Sequence, residues 1–250
     1  MDHTLVLLMG LVLGSFFNVC IYRLPRGESL VFPPSHCTHC GHRLGVPDLV
    51  PVLSYLWLGG RCRYCGQRIS PQYPLVELGT AGLFVLLYRV YGPSPVLVSR
   101  LVLASGLLVA AVIDLRHYRI PNRLVAFLAV AGPLLNLWTR ELPWWQVFAG
   151  AVVGAGILGA LAILSRGGMG EGDVKLAAAT GLYLGPAGQA LAIFLGAALG
   201  AVVGGILILT GRKKRRDPIP FAPFLGVGSV IAHVWGPSLW RLYLSWAGLI

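Results

Sequence analysis

Residues 187–209 read A-G-Q-A-L-A-I-F-L-G-A-A-L-G-A-V-V-G-G-I-L-I-L, a run of 23 positions without one charged side chain. As a helix this stretch is about 35 Å long, enough to cross a hydrocarbon layer of ~30 Å. Seven further apolar runs fall into place around it: 4–22, 74–91, 96–113, 123–138, 146–164, 175–185 and 219–235. The breaks between them carry turn residues: G-P-S-P at 92–95, L-P at 142–143, G-P at 185–186 and D-P-I-P at 217–220. Only 12% of residues are charged, where a soluble domain has about 25%. Mean hydropathy is +0.74, so bilayer rather than water is the solvent for most of the chain. The expected fold is an all-α polytopic membrane protein with about eight transmembrane helices. The run 175–185 is short, as a span ending in a polar pocket would be. The aromatic tail 236–250 reads either as an interfacial segment or as an extension of the last helix. The start, M-D-H-T, lacks the basic region of a cleaved signal, so the first run is expected to be retained.

A net charge of +11 would suggest nucleic acid in a soluble protein. Here its distribution gives another account, and no nucleic-acid partner is expected. With eight spans, the loops 23–73, 114–122, 165–174 and 210–218, with their flanks, hold 16 of the 20 Lys and Arg residues. The other side holds Arg89, Arg100, Arg140 and Arg241. Basic residues stay in the cytoplasm, so these loops are expected inside and both termini outside. Trp138, Trp144 and Trp145 mark the opposite interface. The basic run Arg212, Lys213, Lys214, Arg215 and Arg216 reads as an anchor to anionic lipid.

Acids near the membrane are few: Glu77, Asp114, Glu171 and Asp173. Asp114 ends the third span and Asp173 opens the sixth, with two complete spans between them. Both therefore return to the same face, near the cytoplasmic boundary. Ionisable groups at such depth are expensive and point to function. Two carboxylates that meet can share one proton: the ionised member draws a proton from water, while the neutral one hydrogen-bonds a carbonyl. Such chemistry needs no metal. Gly170 and Gly172 precede Asp173 and offer backbone freedom or a close approach for a substrate strand. Lys175 either brings positive charge to the pair or marks the inner face. Asn122, after Pro121, reads as a helix cap. Each feature has a plainer account: Asp114 as a boundary charge beside Arg116, Gly167 to Gly172 as a turn, Glu77 as an interfacial acid, and Pro220 and Pro223 as a helix start.

The segment 23–73 contains Cys37-Thr-His-Cys40 and Cys62-Arg-Tyr-Cys65, with 21 residues between the pairs. Each pair is followed by glycine. That is zinc-ribbon spacing, in which two knuckles offer four thiolates. A segment this small needs a metal or disulfides to hold together, and disulfides are disfavoured in the cytoplasm. Structural zinc on Cys37, Cys40, Cys62 and Cys65 is the expectation; disulfides or free thiols are the alternative. His36, His39 and His42 read as spare beside four cysteines, and Cys20 as a small apolar residue. The expected division is a first helix at 1–22, the cysteine segment at 23–73 and a membrane core at 74–250.

These motifs resemble the prepilin peptidases, or type IV leader peptidases, among the membrane aspartic proteases with a G-x-G-D motif. The likeness lies in G-M-G-E-G-D-V-K-L-A-A-A-T-G at 168–181, A-x-x-D before I-P-N at 111–122, G-S-F-F-N-V-C-I-Y-R-L-P-R-G-E-S at 14–29, Q-Y-P-L-V-E at 72–77 and I-P-F-A-P-F-L at 219–225. It covers nearly the whole chain in order. The resemblance implies an endopeptidase of the bacterial inner membrane, acting at its cytoplasmic face with Asp114 and Asp173 as catalytic pair. It implies prepilins or type II secretion pseudopilins as substrates, each with a short basic leader before a hydrophobic helix. It also implies methylation of the new N-terminus from S-adenosylmethionine, although no strand-linked glycine loop for that donor is evident. A peptidase without the transferase, or a transporter or scaffold whose acids line an ion path, are the competing readings. The second leaves Asp173 and the cysteine module unexplained. Oligomeric state is not legible.

Overall fold

A computed structural model describes residues 2–165, 168–214 and 217–246. Arg215 and Arg216 of the basic run, Gly167 of the glycine turn and positions 247–250 of the tail lie outside these described residues. Among the described residues the regular elements are helices, with isolated bridges at His36–Arg43 and Arg61–Arg68. The helices are α1 (His3–Arg23), α2 (Leu53–Trp57), α3 (Gln72–Tyr91), α4 (Pro95–His117), α5 (Asn122–Thr139), α6 (Trp144–Leu164), α7 (Glu171–Leu209) and α8 (Ala222–Trp246). Five of them, α1, α3, α4, α6 and α7, are long and apolar enough to cross a membrane. The chain forms two compact units, Met1–Leu97 and Val98–Ile250.

In the first unit α1 packs on α3 with little between the backbones. A Cβ at Gly10 would stand 2.6 Å from Ala81 Cα, and one at Gly14 would stand 2.7 Å from Glu77 Cα. Glycine four residues apart is the pattern that lets membrane helices touch closely. One turn on, the buried Asn18 donates to Tyr73 O at 3.1 Å and accepts from Gln72 Nε2 at 3.3 Å. The buried Arg23 then donates to Ser29 O and Pro33 O, closing the start of the cysteine segment. The other face of α1 leaves Leu8, Val12 and Phe16 exposed, as a lipid-facing surface does.

The second unit repeats the device twice. A Cβ at Gly150 of α6 would stand 2.1 Å from Gly181 O, and one at Gly154 would stand 2.2 Å from Ala177 O. A Cβ at Gly228 of α8 would stand 2.3 Å from Ala192 O. Helix α7 is broken at Gly185, with φ 66° and ψ 177°, just before Pro186. Thr180 Oγ1 donates to Gln189 Oε1 at 3.0 Å across that break. Nine residues on a straight helix would lie about 13.5 Å apart, so the two halves of α7 fold back as a hairpin. The separation of 175–185 from 187–209 read in the sequence corresponds to these halves. Carbonyls freed by the break need partners. The buried Arg100 donates to Tyr183 O at 3.3 Å and pairs with Glu141. The tail continues α8 as far as Trp246, which favours the helical reading over a separate interfacial segment.

Candidate active site and metal centre

Asp114 sits in the last turn of α4, which runs on to His117 rather than ending at the aspartate. Its side chain is buried, and Oδ2 accepts the backbone N–H of Ala222 at 3.0 Å. Ala222 is the first residue of α8, where N–H groups have no partner within the helix. Asp173 lies in the first turn of α7, and its Oδ1 is buried with no hydrogen-bond partner among the described residues. Asp114 and Asp173 lie at the same end of this unit, near enough for their charges to interact.

Three chain segments converge on the pair. Ile120, after α4, packs where a Cβ on Gly172 would stand 3.1 Å away. Lys213 Nζ donates to Tyr118 Oη at 3.0 Å and to Pro218 O. The described parts of three of the loops expected inside, 114–122, 165–174 and 210–218, thus share one end of this unit. Nothing in the sequence marks Ala222 as a donor, since its role depends on a partner 108 residues away.

The glycines of the motif act differently from the backbone freedom expected of them. Gly170 has φ −74°, and Gly172 is helical; neither is among the residues with positive φ. What they supply is room. A Cβ at Gly170 would stand 3.2 Å from Asp173 Oδ2. Lys175 forms an ion pair with Glu171 at 2.6 Å, one turn back on an exposed face. Asn122 is the first residue of α5 rather than its cap; Pro121 holds the cap position, with no side-chain bond. Pro223 occupies the second position of α8, where its missing N–H does no harm.

In the first unit Cys37, Cys40, Cys62 and Cys65 converge, with all four Sγ atoms within 4.8 Å of one another. Cys37 Sγ and Cys65 Sγ are 3.9 Å apart, far beyond a disulfide bond of about 2.05 Å. Tetrahedral zinc with Zn–S bonds of about 2.3 Å has edges of about 3.8 Å, so the cluster has the size of a zinc site. No histidine belongs to it: His36 Nδ1 lies 3.0 Å from Pro34 O, and His42 stacks on Tyr64. Asp48 ties the knuckles together, accepting from Arg63 Nε at 2.8 Å, Tyr64 Oη at 3.0 Å and Gly45 N at 3.1 Å. Burial works against its charge, but these donors hold its carboxyl below the usual carboxylate range. Glu77, whose partner was open in the sequence, accepts the Val52 N–H at 2.7 Å and so fastens this segment to α3.

The model of the bacterial peptidase A24 N-terminal domain matches residues 8–91, and that of the type IV leader peptidase family matches residues 101–205. A prepilin leader peptidase/N-methyltransferase of Bacillus subtilis (strain 168) is 36% identical over 244 residues, 98% of each chain. The protein of the same name from Aeromonas salmonicida (strain A449) is 35% identical over 97% of this chain and 94% of its own. That from Pseudomonas aeruginosa is 33% identical over 97% of this chain and 93% of its own. No solved structure matches the chain.

Proposed function

Because the chain belongs to the type IV leader peptidase family, we propose that Asp114 and Asp173 are the catalytic pair of a prepilin leader peptidase that is also an N-methyltransferase. The observation that carries the assignment is their placement: the ends of two different helices set two carboxylates near enough for their charges to interact, one with an oxygen that the described residues leave without a donor. The pair holds one proton. The ionised carboxylate takes a proton from a water molecule, and the hydroxide oxygen bonds to the scissile carbonyl carbon. The protonated carboxyl donates to the carbonyl oxygen. As the tetrahedral intermediate collapses, a proton passes to the leaving nitrogen and the C–N bond breaks. Gly170 and Gly172 support this site by clearance, and Lys175 supports it by pinning Glu171 in the same turn.

The substrates are prepilins or type II secretion pseudopilins, cut at the cytoplasmic edge of the bacterial inner membrane. Eight crossings, with both termini outside, suit this reading. The α7 hairpin supports the count, since its halves are about 22 Å and about 36 Å long, the shorter as a span ending in a polar pocket would be. The basic loops gathered at the aspartate end support the orientation. Cys37, Cys40, Cys62 and Cys65 hold a structural zinc ion, which would fasten the two knuckles of the segment between the first two spans. Methylation places a methyl group from S-adenosylmethionine on the new N-terminal nitrogen.

The test is leader removal from a prepilin by detergent-purified protein, followed by mass spectrometry. Wild type should release the leader and add about 14 Da, one methyl group, when the donor is supplied. Cleavage that survives Asp114→Asn and Asp173→Asn would overturn the catalytic assignment, and cleavage without added mass would remove the transferase.

A further inference from the structure

Between the cysteine pairs lies a surface that neither the cluster nor the aspartates use. Val46, Leu53, Leu56 and Trp57 are 82, 63, 66 and 90% exposed. Leu53, Leu56 and Trp57 are spaced i, i+3 and i+4 along α2, so they share one face. Segment 23–73 holds six arginines against two acids, Glu28 and Asp48. Asp48 is taken by Arg63, while Arg43, Arg61 and Arg68 are exposed. An apolar helix face in a segment with exposed arginines and few acids is the pattern of a helix lying in a membrane surface.

The depth of this surface follows from one hydrogen bond. Val52 directly precedes α2 and donates its N–H to Glu77 Oε2 at 2.7 Å. Glu77 is the sixth residue of α3, about 7.5 Å along its axis from Gln72. The start of α2 therefore lies beside the first two turns of a membrane helix, at the boundary of the bilayer. The backbone there is strained to achieve it. Val52 has φ 62° and ψ −49°, and Leu53 N–H donates to Pro51 O at 2.6 Å, a tight three-residue turn that a β-branched residue rarely adopts. Such strain persists only where the surroundings over-determine it, and the buried Glu77 carboxylate is part of that constraint.

We infer that α2 is an interfacial foot: Leu53, Leu56 and Trp57 sit in the headgroup–acyl boundary of the bilayer, and Arg43, Arg61 and Arg68 contact its anionic headgroups. Tryptophan is the residue most at home at that depth. The inference rests on α1 and α3 crossing the membrane and not on the catalytic reading, so either can fail alone. The basic leader of a prepilin carries the wrong charge for this surface.

Full-length protein in lipid nanodiscs tests it, with lipids brominated on the upper acyl chain. The fluorescence difference between wild type and Trp57→Phe isolates Trp57, and the same difference for Trp145→Phe checks bilayer contact. The expected result is loss of most of the Trp57 signal in brominated, anionic nanodiscs and a smaller loss in zwitterionic ones. Leu56→Glu should weaken the quenching while the four-cysteine cluster keeps its zinc. A Trp57 signal that stays unquenched and water-like while Trp145 is quenched would overturn the inference. So would shielding of Trp57 that appears only after a prepilin is added, which would give the surface to the substrate. Equal quenching in both lipids would overturn the role of the arginines.

Discussion

Glu77 and Asp173 both lie in the first two turns of a membrane helix, and the chain treats them in opposite ways. Glu77 is buried and receives the Val52 N–H, so its charge is spent on holding the cysteine segment to α3. Asp173 keeps a buried oxygen with no donor among the described residues and lies within the reach of a second carboxylate's charge. A satisfied carboxylate is a fastener; one left short of donors and set against another acid has capacity to bind water and move protons. The glycines near each differ to match. Gly14 clears the way for a helix backbone, whereas Gly170 clears the way for the carboxylate itself.

The sharpest break of this contrast comes from the aspartates. Asp173→Asn or Asp114→Asn should lower the single-turnover cleavage rate by roughly a thousandfold, the scale of lost acid–base catalysis, in protein that elutes as wild type. Next in size is the four-cysteine centre. Cys62→Ser, or strong chelation of wild type, should release one bound zinc per chain by metal analysis and lower the melting temperature by about 5 °C or more. Full retention of melting behaviour without metal would remove the structural role. Gly170→Ala comes third: its Cβ presses on Asp173 Oδ2, and kcat should fall about tenfold, with KM nearly unchanged. The smallest effect belongs to Glu77→Gln, which still accepts from Val52. Cleavage should stay within about threefold of wild type, with stability lower by about 1 kcal/mol as a charged acceptor becomes neutral. A thousandfold loss there would erase the distinction between the two acids.

Most helix positions were legible because apolar runs and Gly-Pro breaks are local signals. The run 187–209 and the break at 185–186 are read directly, and the placing of Asp114 and Asp173 at one end of the second unit follows from counting spans. The rest depends on partners distant in sequence. Arg100 counted as a boundary charge, yet it is buried against Glu141 and the Tyr183 carbonyl that the α7 break sets free. Backbone freedom or a close approach is all the sequence offers for Gly170 and Gly172, and only the positions of Asp173 and Ile120 reveal the clearance these glycines give within the chain. Helix α2 has five residues, too few for periodicity to announce it, and the strained turn at Val52 has no sequence signature.

The central claim is that the two aspartates act as one proton-sharing unit. The double variant tests it most directly: single-turnover cleavage of a prepilin by Asp114→Asn, Asp173→Asn and the protein carrying both. The account predicts that the double variant is no slower than the worse single one, because either substitution already removes the unit. Losses that multiply would show two independent groups and contradict it.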